Sequence, residues 1–180
     1  LLIERGGDLQ SLAATAGTLG ALGGGALWLQ AQRRDLPLTV EAALATLDRL
    51  AGQTLVSRGA WSPYRIFMHV AQSIHFSLEG FPEHKSALFQ ASAGRLAFNV
   101  FAYQGYMRHG LDQPIPGEPA LAEQGDVQAA LDHLRATLER FARHTGELQP
   151  HFAYGPLTHA EYTIAHTLHL NNHLEEIGVV

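Results

Sequence analysis

The chain contains no cysteine. That excludes disulfides, thiolate nucleophiles and cysteine-bound zinc or iron–sulfur centres. Charge is scarce as well: Asp, Glu, Lys and Arg make up 16% of the 180 residues, against about 25% in an average soluble domain. The 12 Lys and Arg are outnumbered by 17 Asp and Glu, for a net charge of −5. A mildly acidic chain lacks the electrostatic footprint that supplies most nucleic-acid affinity, so no nucleic-acid partner is expected. There is no Gly-x-Ser-x-Gly elbow, and the glycines from Gly20 to Gly25 lack the Lys-Ser/Thr and the preceding strand of a phosphate loop. Beyond Pro37 no run of period-two alternation and no Asn-Gly or Asp-Gly pair announces a hairpin.

What remains is apolar and rich in histidine. Hydrophobic residues reach 46%, too many for disorder and enough for a core. No charge occurs between Asp8 and Arg33. As a helix, Leu9 to Gln32 would span roughly 36 Å, sufficient for a bilayer core. Trp28 suits an interfacial anchor, and the four-residue spacing of Ala16, Gly20 and Gly24 offers a seam for a membrane-protein partner. A cleavable signal peptide and a flexible Gly-rich tail are the competing readings. The chain opens on Leu rather than Met, so upstream residues are expected, and the count of Arg33 and Arg34 against Arg5 does not fix orientation. The expectation is a retained anchor in the lipid bilayer over residues 1–35, and a domain over 36–180 on the periplasmic side of a bacterial membrane.

Helical spacing governs the remainder. Thr39 caps a predicted helix through about Ala51, and Ser62-Pro63 opens one reaching about Glu79. A third runs from about Lys85 to Met107. A fourth runs from Asp126 to about His144, with Leu131, Leu134, Leu138 and Phe141 as its apolar stripe. Thr158-His159-Ala160-Glu161 fits a capping box, and the last helix is expected from Thr158 to about Ile177. The segment Gln113 to Pro119 reads as an extended connector. The predicted fold is all-α: an antiparallel four-helix bundle with an extra helix or connector and an N-terminal transmembrane or signal-anchor helix.

Eleven histidines are the compositional anomaly. His166, His169 and His173 fall at i, i+3 and i+7, within about 60° of one another on the last helix. The last two have the spacing by which one helix offers two imidazoles to one metal. Tyr162 and Glu176 share this face. Exposed or internally satisfied histidines are the ordinary alternative. A third ligand must come from elsewhere, and His69 leads over His75. His109, His133, His144, His151 and His159 fall on predicted surfaces or loops.

Several stretches resemble a known group. They are Trp61-Ser62-Pro63 followed by Met68-His69-Val70-Ala71-Gln72-Ser73-Ile74, then Ser77-Leu78-Glu79-Gly80-Phe81-Pro82. Next come Pro114-Ile115-Pro116-Gly117, Tyr154-Gly155-Pro156-Leu157-Thr158 and His169-Leu170-Asn171-Asn172-His173-Leu174. From Leu36 to Val180 the chain resembles the DinB/YfiT-like superfamily, in an uncharacterised branch. The resemblance implies a four-helix bundle whose divalent metal ion (Zn, Ni, Fe or Mn) is held by His69, His169 and His173. Two departures stand out: Asn172-His173 where adjacent histidines are common, and Glu176 where Gln is common. Relatives of this kind are similar to metal-dependent thiol transferases or hydrolases. The implied activity is therefore attack on a small-molecule substrate, with Glu176, His166 and Tyr162 as residues supporting the ligands. The competing reading is a non-catalytic accessory subunit of a membrane complex.

Overall fold

The computed structural model describes residues 34–180. From Asp35 onward they form one contact unit, built of α1 (Val40–Leu50), β1 (Leu55–Ser57), α2 (Pro63–Glu79), α3 (Ala87–Phe89), a π-helical turn (Gln90–Gly94), α4 (Arg95–Gln104), α5 (Val127–Arg143), α6 (His159–Leu174) and β2 (Ile177–Val179).

Local chemistry sets the ends of these helices. Thr39 accepts from the backbone of Ala42 at 3.2 Å, Ser62 from Arg65 at 3.2 Å and Asp126 from Ala129 at 3.0 Å. Each satisfies one donor that the first helical turn leaves orphaned. Thr158 and Glu161 form the reciprocal capping box of α6. α2 ends at Gly80 and α4 at Gly105, both at positive φ, where a side chain would be strained.

α2 and α5 pack together along most of their length, and α6 lies against α1, α2 and α4. Ile66, Phe67, Val70, Ala71 and Ile74 of α2 meet Leu131, Leu134, Leu138 and Phe141 of α5, all almost wholly buried. Each large side chain removed from water this way is worth about 1.5–3 kcal/mol before chain entropy is set against it.

The all-α expectation is overturned by a sheet. β1 and β2 pair antiparallel, with Leu55 opposite Val179 and Ser57 opposite Ile177. The last helix therefore stops at Leu174, and the chain beyond it closes on the segment following α1. Strands of three residues are too short to show a period of two, which is why the pattern was silent. The predicted third helix is interrupted as well. Gly94 in the π turn faces the Ala153 carbonyl so closely that a Cβ would overlap it. Nor is the connector extended throughout. Glu118 N–H donates to the Ile115 carbonyl at 3.1 Å across Pro116 and Gly117, with Gly117 at φ 73°, the pattern of a type II turn.

The membrane-anchored, periplasmic placement is also corrected. Among the described residues no helix is long and apolar enough to cross a membrane. The longest, α2 and α5, have 17 residues each and are amphipathic, whereas a span needs about 20 predominantly apolar ones. The segment expected as an anchor, with its Ala16, Gly20 and Gly24 seam, lies outside the described residues.

Candidate metal centre

Two helices bring three imidazoles together. His69 projects from the middle of α2, while His169 and His173 stand one turn apart on α6. One ring nitrogen from each lies within 4.8 Å of the other two. Nε2 of His169 and Nε2 of His173 are 3.1 Å apart. The ring centroids are separated by 5.1 Å (His69 to His169), 5.0 Å (His69 to His173) and 4.8 Å (His169 to His173). Ligands about 2.1 Å from a tetrahedral metal have nitrogens about 3.4 Å and ring centres about 5 Å apart. A small inward adjustment of the rings reaches that arrangement.

Trp61, just ahead of the Ser62 cap, walls the cluster. Its indole stacks on His173 at 6.0 Å and meets His69 edge-on at 4.9 Å. The Arg65 guanidinium covers the indole at 4.5 Å and pairs with Glu123. His69 and His173 are buried and His169 is partly exposed.

Burial controls the protonation of these rings. It pushes His69 down to about 4, aided by the charges of His109 and Arg65. Burial likewise lowers His173 to about 2, and holds His169 well below the ordinary histidine value. At neutral pH all three are uncharged and offer lone pairs, the form a metal requires. Nδ1 of His69 and Nδ1 of His173 are buried without a hydrogen-bond partner. Unpaired buried polar atoms are uncommon in native proteins and call for an explanation.

For His69 the explanation lies across the type II turn. Glu118 Oε2, also buried without a partner, faces Nδ1 at 3.9 Å. Burial pushes this carboxyl up to about 7, partly offset by the backbone at Ile115 and the charge of Arg65. A histidine that ligates through Nε2 characteristically presents its other N–H to a carboxylate. Three neutral imidazoles with a carboxylate poised behind one of them fit a divalent cation bound by nitrogen.

Of the residues expected to support the ligands, His166 lines the same cavity as His69 and His169. Nε2 of His166 lies 3.1 Å from Ser77 Oγ, whose own hydrogen goes to the Ile74 carbonyl at 2.6 Å. His166 must therefore donate, and burial pushes it down to about 3. Its ring packs between Phe141 and Tyr162. Tyr162 donates to the Gln149 carbonyl at 2.6 Å and anchors the loop before α6. Glu176 lies past the end of α6, its carboxylate pressed against Gly59. None of the three is part of the three-nitrogen cluster.

Two histidines assigned to surfaces or loops proved more informative. His151 is buried, its Nδ1 accepting from the backbone of Ala153 at 3.1 Å and Tyr154 at 3.2 Å. His109 is exposed, yet its ring lies 5.1 Å from both His169 and His173. Glu118 went unrecognised because its partner is 49 positions away in sequence and no spacing rule connects a turn to a helix. By contrast His75, exposed beside Arg140, and His159, stacked on Phe141, are brought nowhere near the cluster.

A cavity of about 310 Å³ adjoins the centre. His69, His109 and His169 line it together with Met107, Ile115 and Phe152. Lys85, the sole lysine of the sequence, lines it too.

No curated protein and no solved structure matches the chain. A family model described as "Protein of unknown function (DUF1569)" matches residues 30–178, most of the sequence. The chain therefore belongs to the DUF1569 family.

Proposed function

We propose that this protein is a divalent-metal protein whose centre, held by His69, His169 and His173, serves a reaction on a small molecule in the adjoining cavity. The convergence of three neutral imidazoles from α2 and α6 carries the reading. The resemblance of the α2 and α6 segments to the DinB/YfiT-like superfamily supports a metal-dependent thiol transferase or hydrolase. All-nitrogen ligation suits Zn²⁺, Ni²⁺ or Fe²⁺, with Mn²⁺ less favoured. When bound, such a cation supplies Lewis acidity and acidifies a water or thiol near neutral pH.

The chain's own residues define what the cavity accepts. Met107, Ile115 and Phe152 favour a compact apolar body, and the Lys85 ammonium offers a partner for an anionic group. Any thiol must arrive with the substrate, since the chain has none. Glu118 orients His69, and Trp61 excludes water from the far side of His69 and His173.

Metal content after purification without added metal tests the reading. One equivalent per chain is expected, lost in both His69→Ala and His169→Ala and kept in His133→Ala, an exposed position on α5. Unchanged content in His169→Ala overturns it.

A further inference from the structure

A fourth imidazole stands beside the three. His109 lies on the helix-free segment between α4 and α5, its ring 5.1 Å from His169 and 5.1 Å from His173. Those separations are the ones the three ligands show among themselves. Its tautomer follows from its neighbour. Nδ1 is 2.9 Å from the Gly110 carbonyl, which can only accept, so Nδ1 carries the proton and Nε2 keeps its lone pair. The His109 backbone is fastened to the ligand helix itself, its N–H donating to Asn172 Oδ1 at 3.3 Å, next to His173. The ring is otherwise exposed and outside the tight three-nitrogen set. It is anchored at the main chain, and a single hydrogen bond to the Gly110 carbonyl holds the side chain.

We infer that His109 is a fourth, exchangeable imidazole ligand of this centre, closing its coordination sphere at rest and yielding its position to an incoming small anion or thiolate. The inference rests on the three-histidine reading above. Three helix-borne ligands give affinity. A fourth on an exposed loop ring gives a position that opens without disturbing them, the difference between a closed structural site and an open reactive one. The exchange is balanced: the Nε2 lone pair of His109 leaves one coordination position, and the lone pair of the entering ligand takes it. His109 also lines the cavity, so the ligand that displaces it arrives from there.

Cobalt substitution tests this without any assay of turnover. The full chain is loaded with Co²⁺ alone, and its visible spectrum is compared with that of His109→Ala, His109→Gln and the control His133→Ala. X-ray absorption counts the imidazoles. The expected result is four in the parent and three in the His109 variants, a changed spectrum in both, and recovery of the parent spectrum when free imidazole is added to His109→Ala. If the open form is about one tenth of the parent population, azide should bind about tenfold more tightly once His109 is gone. Superimposable spectra and equal azide affinity overturn the inference while leaving the three-histidine centre standing, provided that Co²⁺ binds one per chain and is lost in His169→Ala. Failure of the parent to bind Co²⁺ overturns both.

Discussion

Replacing Glu118 by glutamine separates two roles that a buried carboxylate plays with opposite signs. Its Oε2 faces His69 Nδ1 at 3.9 Å, with side-chain exposures of 5% and 2%. With a cation on Nε2, the polarised Nδ1–H becomes a strong donor, and the carboxylate a charge-assisted acceptor that also fixes the ring. Losing such a partner typically weakens metal binding 10–100-fold, about 1.4–2.7 kcal/mol. Without metal the same group is a liability. Holding a carboxyl at about 7 instead of 4.5 disfavours the folded apo protein well above pH 7 by at most about 3.5 kcal/mol at about 1.4 kcal/mol per pKa unit, and by on the order of 2–3 kcal/mol once solvent screening is allowed for. The sign follows from proton counts. Between pH 4.5 and 7 the folded form binds more protons than the unfolded, so this contribution to stability is present below 4.5 and lost as pH rises through 7. Glu118→Gln is therefore expected to bind Zn²⁺ 10–100-fold more weakly in a chelator competition. It should nevertheless raise the melting temperature of the metal-free protein at pH 8, and do so much less at pH 5. Affinity within about threefold of the parent, or an apo protein destabilised at pH 8, would refute the assignment of Glu118 as the partner of His69.

Three further outcomes follow from the same geometry. His166 and His151 are each held by burial at about 3, so the unfolded chain takes up protons below about 6.5 while the folded form does not, and stability falls as pH drops from 6.5 towards 3. The urea midpoint of the apo protein should fall across that window, and less steeply in His166→Gln; an identical pH slope in the variant would discount His166. Thr158→Ala removes the cap that accepts from Glu161 at 3.2 Å, at a cost of about 1 kcal/mol; the melting temperature should drop by about 2–4 °C. Gly94→Ala sets a Cβ against the Ala153 carbonyl, and overpacking of this kind costs about 1–3 kcal/mol, so a melting temperature equal to the parent's would show that the π turn yields freely.

Helix boundaries were legible where one residue acts on the next turn. Thr39, Ser62, Asp126 and Thr158 each satisfy a donor within three positions, and such signals survive in any tertiary setting. The pairing of His169 with His173 was legible for the same reason, because helical geometry alone puts residues four apart on one face. Other features were not local. β1 and β2 are three residues each and exist because two segments more than a hundred positions apart pair. His166 shares the face of His169 and His173, yet Phe141 of α5 and the Ser77 hydroxyl hold it in the core.

The amino-acid order alone determined that any metal chemistry here must use nitrogen and oxygen donors, that Thr158 caps the last helix, and that this helix carries two imidazoles four residues apart. The resemblance added His69 as their partner. Only the tertiary structure decided that α2 brings that ring within reach, that a Pro-Gly turn sets Glu118 behind it, and that His109 stands over the site. The reason is physical: short-range hydrogen bonding and helical periodicity act through neighbours in the chain, whereas the meeting of distant side chains depends on how apolar faces pack, and no spacing along the chain encodes that.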